Sequence, residues 1–212
     1  MACYPTYMCF SATASFVAGA ALTATGVVTI QKAKKRKELP FASIPLFFGI
    51  QQLLDGVAWI SVGAPVVNGL AAYGYAFFAY MLWPVLIPTA VLLLEPNKKR
   101  KKVLRLLLAV GVATALYALY LILAGPVAAN VINYCIRYDT FIPYAPLMLL
   151  PYLVATCGSC FVSSHKLMRV FGIATLISVA IAGWFFFETF SSVWCFFAAI
   201  LSGLIYWHFS QE

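Results

Sequence analysis

Apolar blocks of about twenty residues recur along the whole chain, each long enough to cross a hydrocarbon core of about 30 Å as a helix rising about 1.5 Å per residue. Lipid offers backbone groups no partners, so only helices and closed barrels can span it. The blocks lack the strict alternation of barrel strands. The pattern predicts an all-α polytopic membrane protein with one domain, residues 1–212. Its seven transmembrane helices are expected over about 10–31, 40–62, 70–94, 103–124, 143–163, 168–188 and 193–210. A soluble fold has nowhere to put this composition, which is 64% apolar and 9% charged, against about half and about a quarter in soluble domains.

The basic residues set the orientation. QKAKKRKEL after the first span, EPNKKRKKVLR after the third, and the loop holding Lys166 and Arg169 carry all of the 14 lysines and arginines except Arg137. By the positive-inside rule these loops are cytoplasmic, which puts the N-terminus outside and the C-terminus inside. The same asymmetry accounts for the net charge of +8. No aromatic-interleaved basic surface is present to bind nucleic acid; the expected partners are the bilayer and the anionic headgroups facing the basic loops. MACYPTYMCFSATASF has no positive leading region, so the first span is expected to stay in the mature chain, beginning at Met1 or at Met8.

Small residues mark packing faces: Ser11, Ser15, Gly19 and Thr23 on the first helix, and Cys195, Ala198, Ala199, Ser202 and Gly203 on the last. Prolines 45, 84, 88 and 151 fall inside spans, and WPVLIP makes the third helix the expected site of a bend or unwound turn. Between the fourth and fifth spans, GPVAANVINYCIRYDTFI is the external loop long enough to cover a site as a lid.

The second span carries the polar residues that most need explaining. In FFGIQQLLDGVAW, Gln51, Asp55 and Trp59 are spaced by four and Gln52 lies three before Asp55, so all four share one broad helix side. An aspartate within a span costs about 2.5–3.5 kcal/mol near the bilayer centre, and no basic residue lies at matching depth. A carboxyl flanked by two carboxamides and an indole can hold a small polar or cationic ligand. Glu188, with Trp184 four residues before it, is expected to add a second acid and a second aromatic from the sixth helix. The alternative for the glutamines is interhelical hydrogen bonding, worth about 0.6 kcal/mol apiece.

Of the six cysteines, Cys3, Cys9, Cys135 and Cys195 map to the external side, where they can form disulfides, and Cys9, Cys135 and Cys195 are also candidates for a soft-metal site. CGSC, Cys157 to Cys160, has redox-pair spacing, but its place within a span suits packing. His165 and His208 lie at the cytoplasmic boundary without ligand spacing. No nucleotide loop, nucleophile elbow or zincin motif appears, so no catalytic residue and no cofactor is assigned. A retinal pigment is rejected because Val193 to Ser210 contains no lysine for a Schiff base.

MCFSATASFVAGAAL, PLFFGIQQLLDGVAW and SSVWCFFAAILSGLIY together resemble a bacterial family of seven-helix membrane proteins of unknown function. The resemblance covers essentially the whole chain. It implies a bacterial inner membrane, an acidic residue, often glutamate, in the place of Asp55, and a start at the methionine matching Met8. It implies no activity. The leading expectation is a non-enzymatic small-ligand transporter or sensor with an outward-facing polar pocket built from Gln51, Gln52, Asp55, Trp59 and Glu188, coupled to a proton through Asp55. The alternatives are a metal-binding or thiol-redox membrane protein using the external cysteines, and a structural subunit of a membrane complex.

Overall fold

Glycines pull the first two spans together in the computed structural model, which describes residues 11–132, 135–140 and 145–211, with side chains from 148 onward in the last stretch. Helix α1 (Ala12–Lys32) opens at Ser11, whose hydroxyl accepts from the Ala14 backbone N–H at 3.2 Å. A 3₁₀ turn (Arg36–Glu38), the short α2 (Leu39–Ala42) and α3 (Ile44–Ile60) bring the chain back against it. Gly19 and Gly26 of α1 and Gly49 of α3 sit so close to the opposite helix that a Cβ on any of them would strike main-chain atoms. The expected small-residue face is present at Ser15, Gly19 and Thr23, which lies against Gly49 of α3, and it continues to Gly26 and Thr29. A strict spacing of four drifts off a helix of 3.6 residues per turn.

The third span is irregular just ahead of WPVLIP, which is itself regular helix. It consists of α4 (Pro65–Ala76), a π-helical segment (Phe77–Leu82) and α5 (Trp83–Leu94). Pro88 has no N–H to offer the Pro84 carbonyl four residues earlier. Helix α6 (Lys98–Ala124) packs against that carbonyl through Gly111, where a Cβ would run into the Pro84 oxygen. The first turn of α6 carries several basic residues, against the helix dipole. Asn97 offsets part of the cost by accepting from the N–H groups of Lys99 and Arg100 at 2.8 and 3.3 Å.

The all-α expectation needs one correction. Between α6 and α7 (Ala145–Val162) the chain forms an antiparallel hairpin of β1 (Ala128–Ile132) and β2 (Cys135–Asp139), with Ala128 opposite Asp139 and Ile132 opposite Cys135. Asn68 of α4 clamps it by exchanging two 3.0 Å hydrogen bonds with the Ala129 backbone, as a neighbouring strand would. Arg137 and Asp139 pair on its surface at 2.7 Å. Helix α8 (Lys166–Phe185), a 3₁₀ turn (Phe187–Thr189) and α9 (Phe190–Gln211) complete the described chain. Six helical segments are long and apolar enough to cross a membrane, and α7 is a shorter apolar helix beside them. The protein is therefore an integral membrane protein.

At the end of the bundle that carries the basic loops, Glu95 ties two of them together. Its carboxylate accepts from the Ser164 hydroxyl at 2.6 Å, the Ser164 N–H at 2.7 Å and the Asn97 N–H at 3.1 Å. Burial pushes this carboxyl up, but the Ser164 and Asn97 bonds and the Arg100 charge outweigh it and hold the group below its ordinary value of 4.5. The fold thus favours the ionised form, and its contribution is complete above the ordinary value and fades as pH falls through the lower folded one. Glu95→Gln is expected to cost about 1–3 kcal/mol at neutral pH. In unfolding titrations in detergent, the difference from the parent should shrink below about pH 4.

Candidate functional site

Asp55 of α3 is 2% exposed, and both of its oxygens are occupied. Ser15 of α1 donates to Oδ2 at 2.8 Å, while Tyr138 of β2 and Ser192 of α9 donate to Oδ1 at 2.7 and 3.2 Å. Among the described residues no basic side chain pairs with it. Three hydroxyls take the place a cation would fill elsewhere and satisfy both oxygens of the buried carboxyl. The Tyr138 ring is held in place by stacking on Tyr75, centroids 3.8 Å apart and planes 4° from parallel, and Tyr75 donates to the Ser191 carbonyl at 2.9 Å.

The other residues of the helix-two cluster separate. Gln51 is fully buried and accepts from Trp83 Nε1 at 2.8 Å, with Trp83 stacked on Phe48 at 3.8 Å. Its Nε2 has no hydrogen-bond partner, nor has Oε1 of the equally buried Gln52. The Trp59 indole lies near the Asp55 carboxylate without completing a hydrogen bond. Trp184 does not join them: it is 84% exposed at the end of α8. Spacing by four from Glu188 does not align the two, because α8 ends at Phe185 and the chain turns between them.

Glu188 instead stands at a cavity of about 460 Å³ at the end of the bundle away from the basic loops. Its walls come from the π segment, β2, α7, α8 and α9. Alternation along the strand sends Ile136 and Tyr138 to this cavity, and Thr140 follows in the same register. Ala79 and Tyr80 reach it from the π segment, a type of helix irregularity that recurs at functional sites. Tyr138 and Ser192 belong both to this wall and to the Asp55 network. The buried acid is therefore one hydroxyl layer behind the cavity, not open to it. The lining includes one acid, Glu188, and no basic side chain among the described residues.

The cysteines divide. Cys135 is disulfide-bonded, and Cys3 and Cys9 lie outside the described residues. It therefore has no thiolate to offer a metal. Cys157, Cys160 and Cys195 are free and buried, and no group of three potential metal ligands occurs among the described residues. Cys160 packs against Gly172, where a Cβ would approach its own Cβ to 2.5 Å, so this pair serves the α7–α8 contact.

Fold and site define a polytopic helical membrane protein with a cavity at one end and a hydroxyl-bound carboxyl buried behind the cavity wall. The chain belongs to a family of unknown function, DUF6629, whose model matches residues 8–212. No curated protein and no solved structure matches it.

Proposed function

We propose that the protein is a seven-span transporter or sensor of a bacterial inner membrane, with its N-terminus outside, that takes a small polar or cationic ligand into this cavity. The observation that carries the reading is the shared wall: Tyr138 and Ser192 line the cavity and also hold Asp55. A cation bound against this wall acts on the buried carboxyl across one hydroxyl layer, favours its ionised form and lowers its proton affinity. Binding and protonation are then linked.

Two independent features support this orientation. The basic loops lie at one end, and the disulfide of Cys135 lies at the other, as an oxidising exterior requires. The chemistry of the lining favours a cation with an apolar body. Tyr80, Tyr138, Tyr152, Phe190 and Trp194 supply aromatic faces, and Glu188 supplies the charge. The cytoplasmic basic loops face anionic headgroups.

The test is thermal stabilisation of the purified protein by benzyltrimethylammonium, with its uncharged carbon isostere as control, between pH 5 and 8. The cation should stabilise and the isostere should not. Glu188→Gln should weaken the effect roughly tenfold in apparent affinity, the worth of about 1.4 kcal/mol. Asp55→Asn should leave binding but remove its pH dependence. A panel of such cations without any stabilisation, or equal stabilisation by the isostere, rejects the reading.

A further inference from the structure

Helices α7 and α8 leave the short turn that joins them in contact and do not stay so. In their inner halves they touch, with Cys160 against Gly172. In their outer halves the cavity of about 460 Å³ comes between them, lined by Leu149 of α7 and by Val179 and Gly183 of α8. These three residues are only half-buried. Helix α8 packs on α7 and α9 at the edge of the bundle, and its neighbouring Ile177 and Ile181 are exposed. What meets the seam from outside at this level is the hydrocarbon of the bilayer.

The depth of the cavity can be read along the same two helices. Trp184, Phe185 and Phe187 stand exposed beside Glu188, as aromatic side chains do where they anchor a membrane protein at the headgroup level. Val179 lies six residues before the end of α8 at Phe185, and Tyr152 lies seven residues after the start of α7 at Ala145. At about 1.5 Å per residue, the floor is about 10 Å below the headgroup level. The cavity is a slot that starts among headgroups and ends among acyl chains.

The two sides of the slot differ in chemistry. Glu188, Tyr138, Thr140 and Ser192 come from the hairpin, the 3₁₀ turn and the start of α9. Against them α7 and α8 set Met148, Leu149, Tyr152, Val179 and Gly183, whose one polar side-chain group, the Tyr152 hydroxyl, already donates to the Ala79 carbonyl at 2.8 Å. A compact cation has no use for that apolar side, and a ligand that is apolar throughout has none for a carboxylate at the mouth. Both are used by a molecule with a charged head beside Glu188 and a chain laid along α7 and α8. Carbon–carbon bonds of about 1.5 Å advance an extended chain by about 1.3 Å per atom, so about eight carbons reach the floor.

We infer that the ligand of this cavity is a cationic amphiphile taken from the outer leaflet through the seam between α7 and α8, its ammonium head at Glu188 and its chain against Leu149 and Val179. This rests on the cavity being the ligand site proposed above, and it adds the chain and the way in. On that route the chain exchanges lipid for apolar side chains and is never exposed to water. The head keeps its depth throughout.

A photoreactive probe separates the two claims. A trimethylammonium group joined by a chain of about six carbons to a terminal diazirine is irradiated with the purified protein in detergent, and labelled residues are located by peptide mass spectrometry. Label should fall on α7 and α8 around Leu149, Tyr152 and Val179, and benzyltrimethylammonium at about ten times its dissociation constant should cut it about tenfold. Gly183→Leu fills the seam where a Cβ meets nothing nearer than the Phe190 ring at 3.9 Å, so the variant should unfold no earlier than the parent and lose the competable label severalfold. Val179→Phe, one turn away on the same face, should act alike, whereas Ile177→Phe, on the exposed side of α8, should label as the parent does. No competable label at any residue overturns the ligand cavity itself. Competable label confined to the hairpin and the start of α9, or label on α7 and α8 that both seam variants leave unchanged, overturns only the amphiphile and its route.

Discussion

Gly111→Ala should lower the stability of the protein by about 3 kcal/mol, although alanine is the better helix former by about 1 kcal/mol. The added methyl group has no room: on α6 it would run into the Pro84 carbonyl oxygen and come within 3.3 Å of the Ala155 side chain. An overpacked side chain usually relieves itself by shifting its neighbour, at about 1–3 kcal/mol. A main-chain oxygen cannot rotate away, so the whole α5–α6 contact must open. Pro84 presents that oxygen because Pro88 has no N–H to bond it, and the Cα of glycine can approach such a carbonyl as a weak donor. Thermal unfolding in detergent should therefore fall by roughly 10 °C, at roughly 2–4 °C per kcal/mol for a chain of this size. Gly203→Ala on α9 is the matched control. Nothing lies within 4 Å of its added methyl, so propensity alone decides and the variant should be as stable as the parent or slightly more so. Equal behaviour of the two variants would show that the α5–α6 contact is looser than described.

Six of the spans are legible because each is a long apolar block with charge at one end or the other, a signal that needs no knowledge of what packs on what. That the third span is irregular is legible for a similarly local reason, since prolines act through the backbone of their own helix, but the π-helical segment ends two residues before Pro84 and WPVLIP itself stays helical. The hairpin is the least legible element although a signal exists: Val131 and Ile132 in one short run and Ile136 and Tyr138 in the next make a pattern too short to stand out within a polar loop. Asp55 was readable as an anomaly, but its partners were not. Ser15, Tyr138 and Ser192 lie 40, 83 and 137 residues away, and Ser15 by its spacing looks like one more small packing residue. Trp184 shows the opposite error, a spacing rule carried past the end of a helix at Phe185.

Asp55→Ala should cost about 3–5 kcal/mol, and the way the loss divides among its partners tests what the carboxyl is for. Removing it strands three buried hydroxyls, but they are not equally stranded. Ser15 and Ser192 sit on helices, where a serine hydroxyl can turn to a carbonyl of the preceding turn. Ser15→Ala and Ser192→Ala should therefore each cost only about 0.6 kcal/mol, the ordinary worth of a polar contact between membrane helices. Tyr138 sits on a strand that brings it no such acceptor, so Tyr138→Phe should cost about 1–3 kcal/mol. In a double-mutant cycle Asp55 and Tyr138 should couple by at least about 1 kcal/mol, and Asp55 and Ser15 by less. If Asp55 merely joined helices, the strong coupling would fall on Ser15, across the closest helix pair of the bundle, and the hairpin variant would be near neutral. Coupling concentrated on Tyr138 instead ties the buried charge to the hairpin that forms part of the cavity wall, which is where a ligand can reach it.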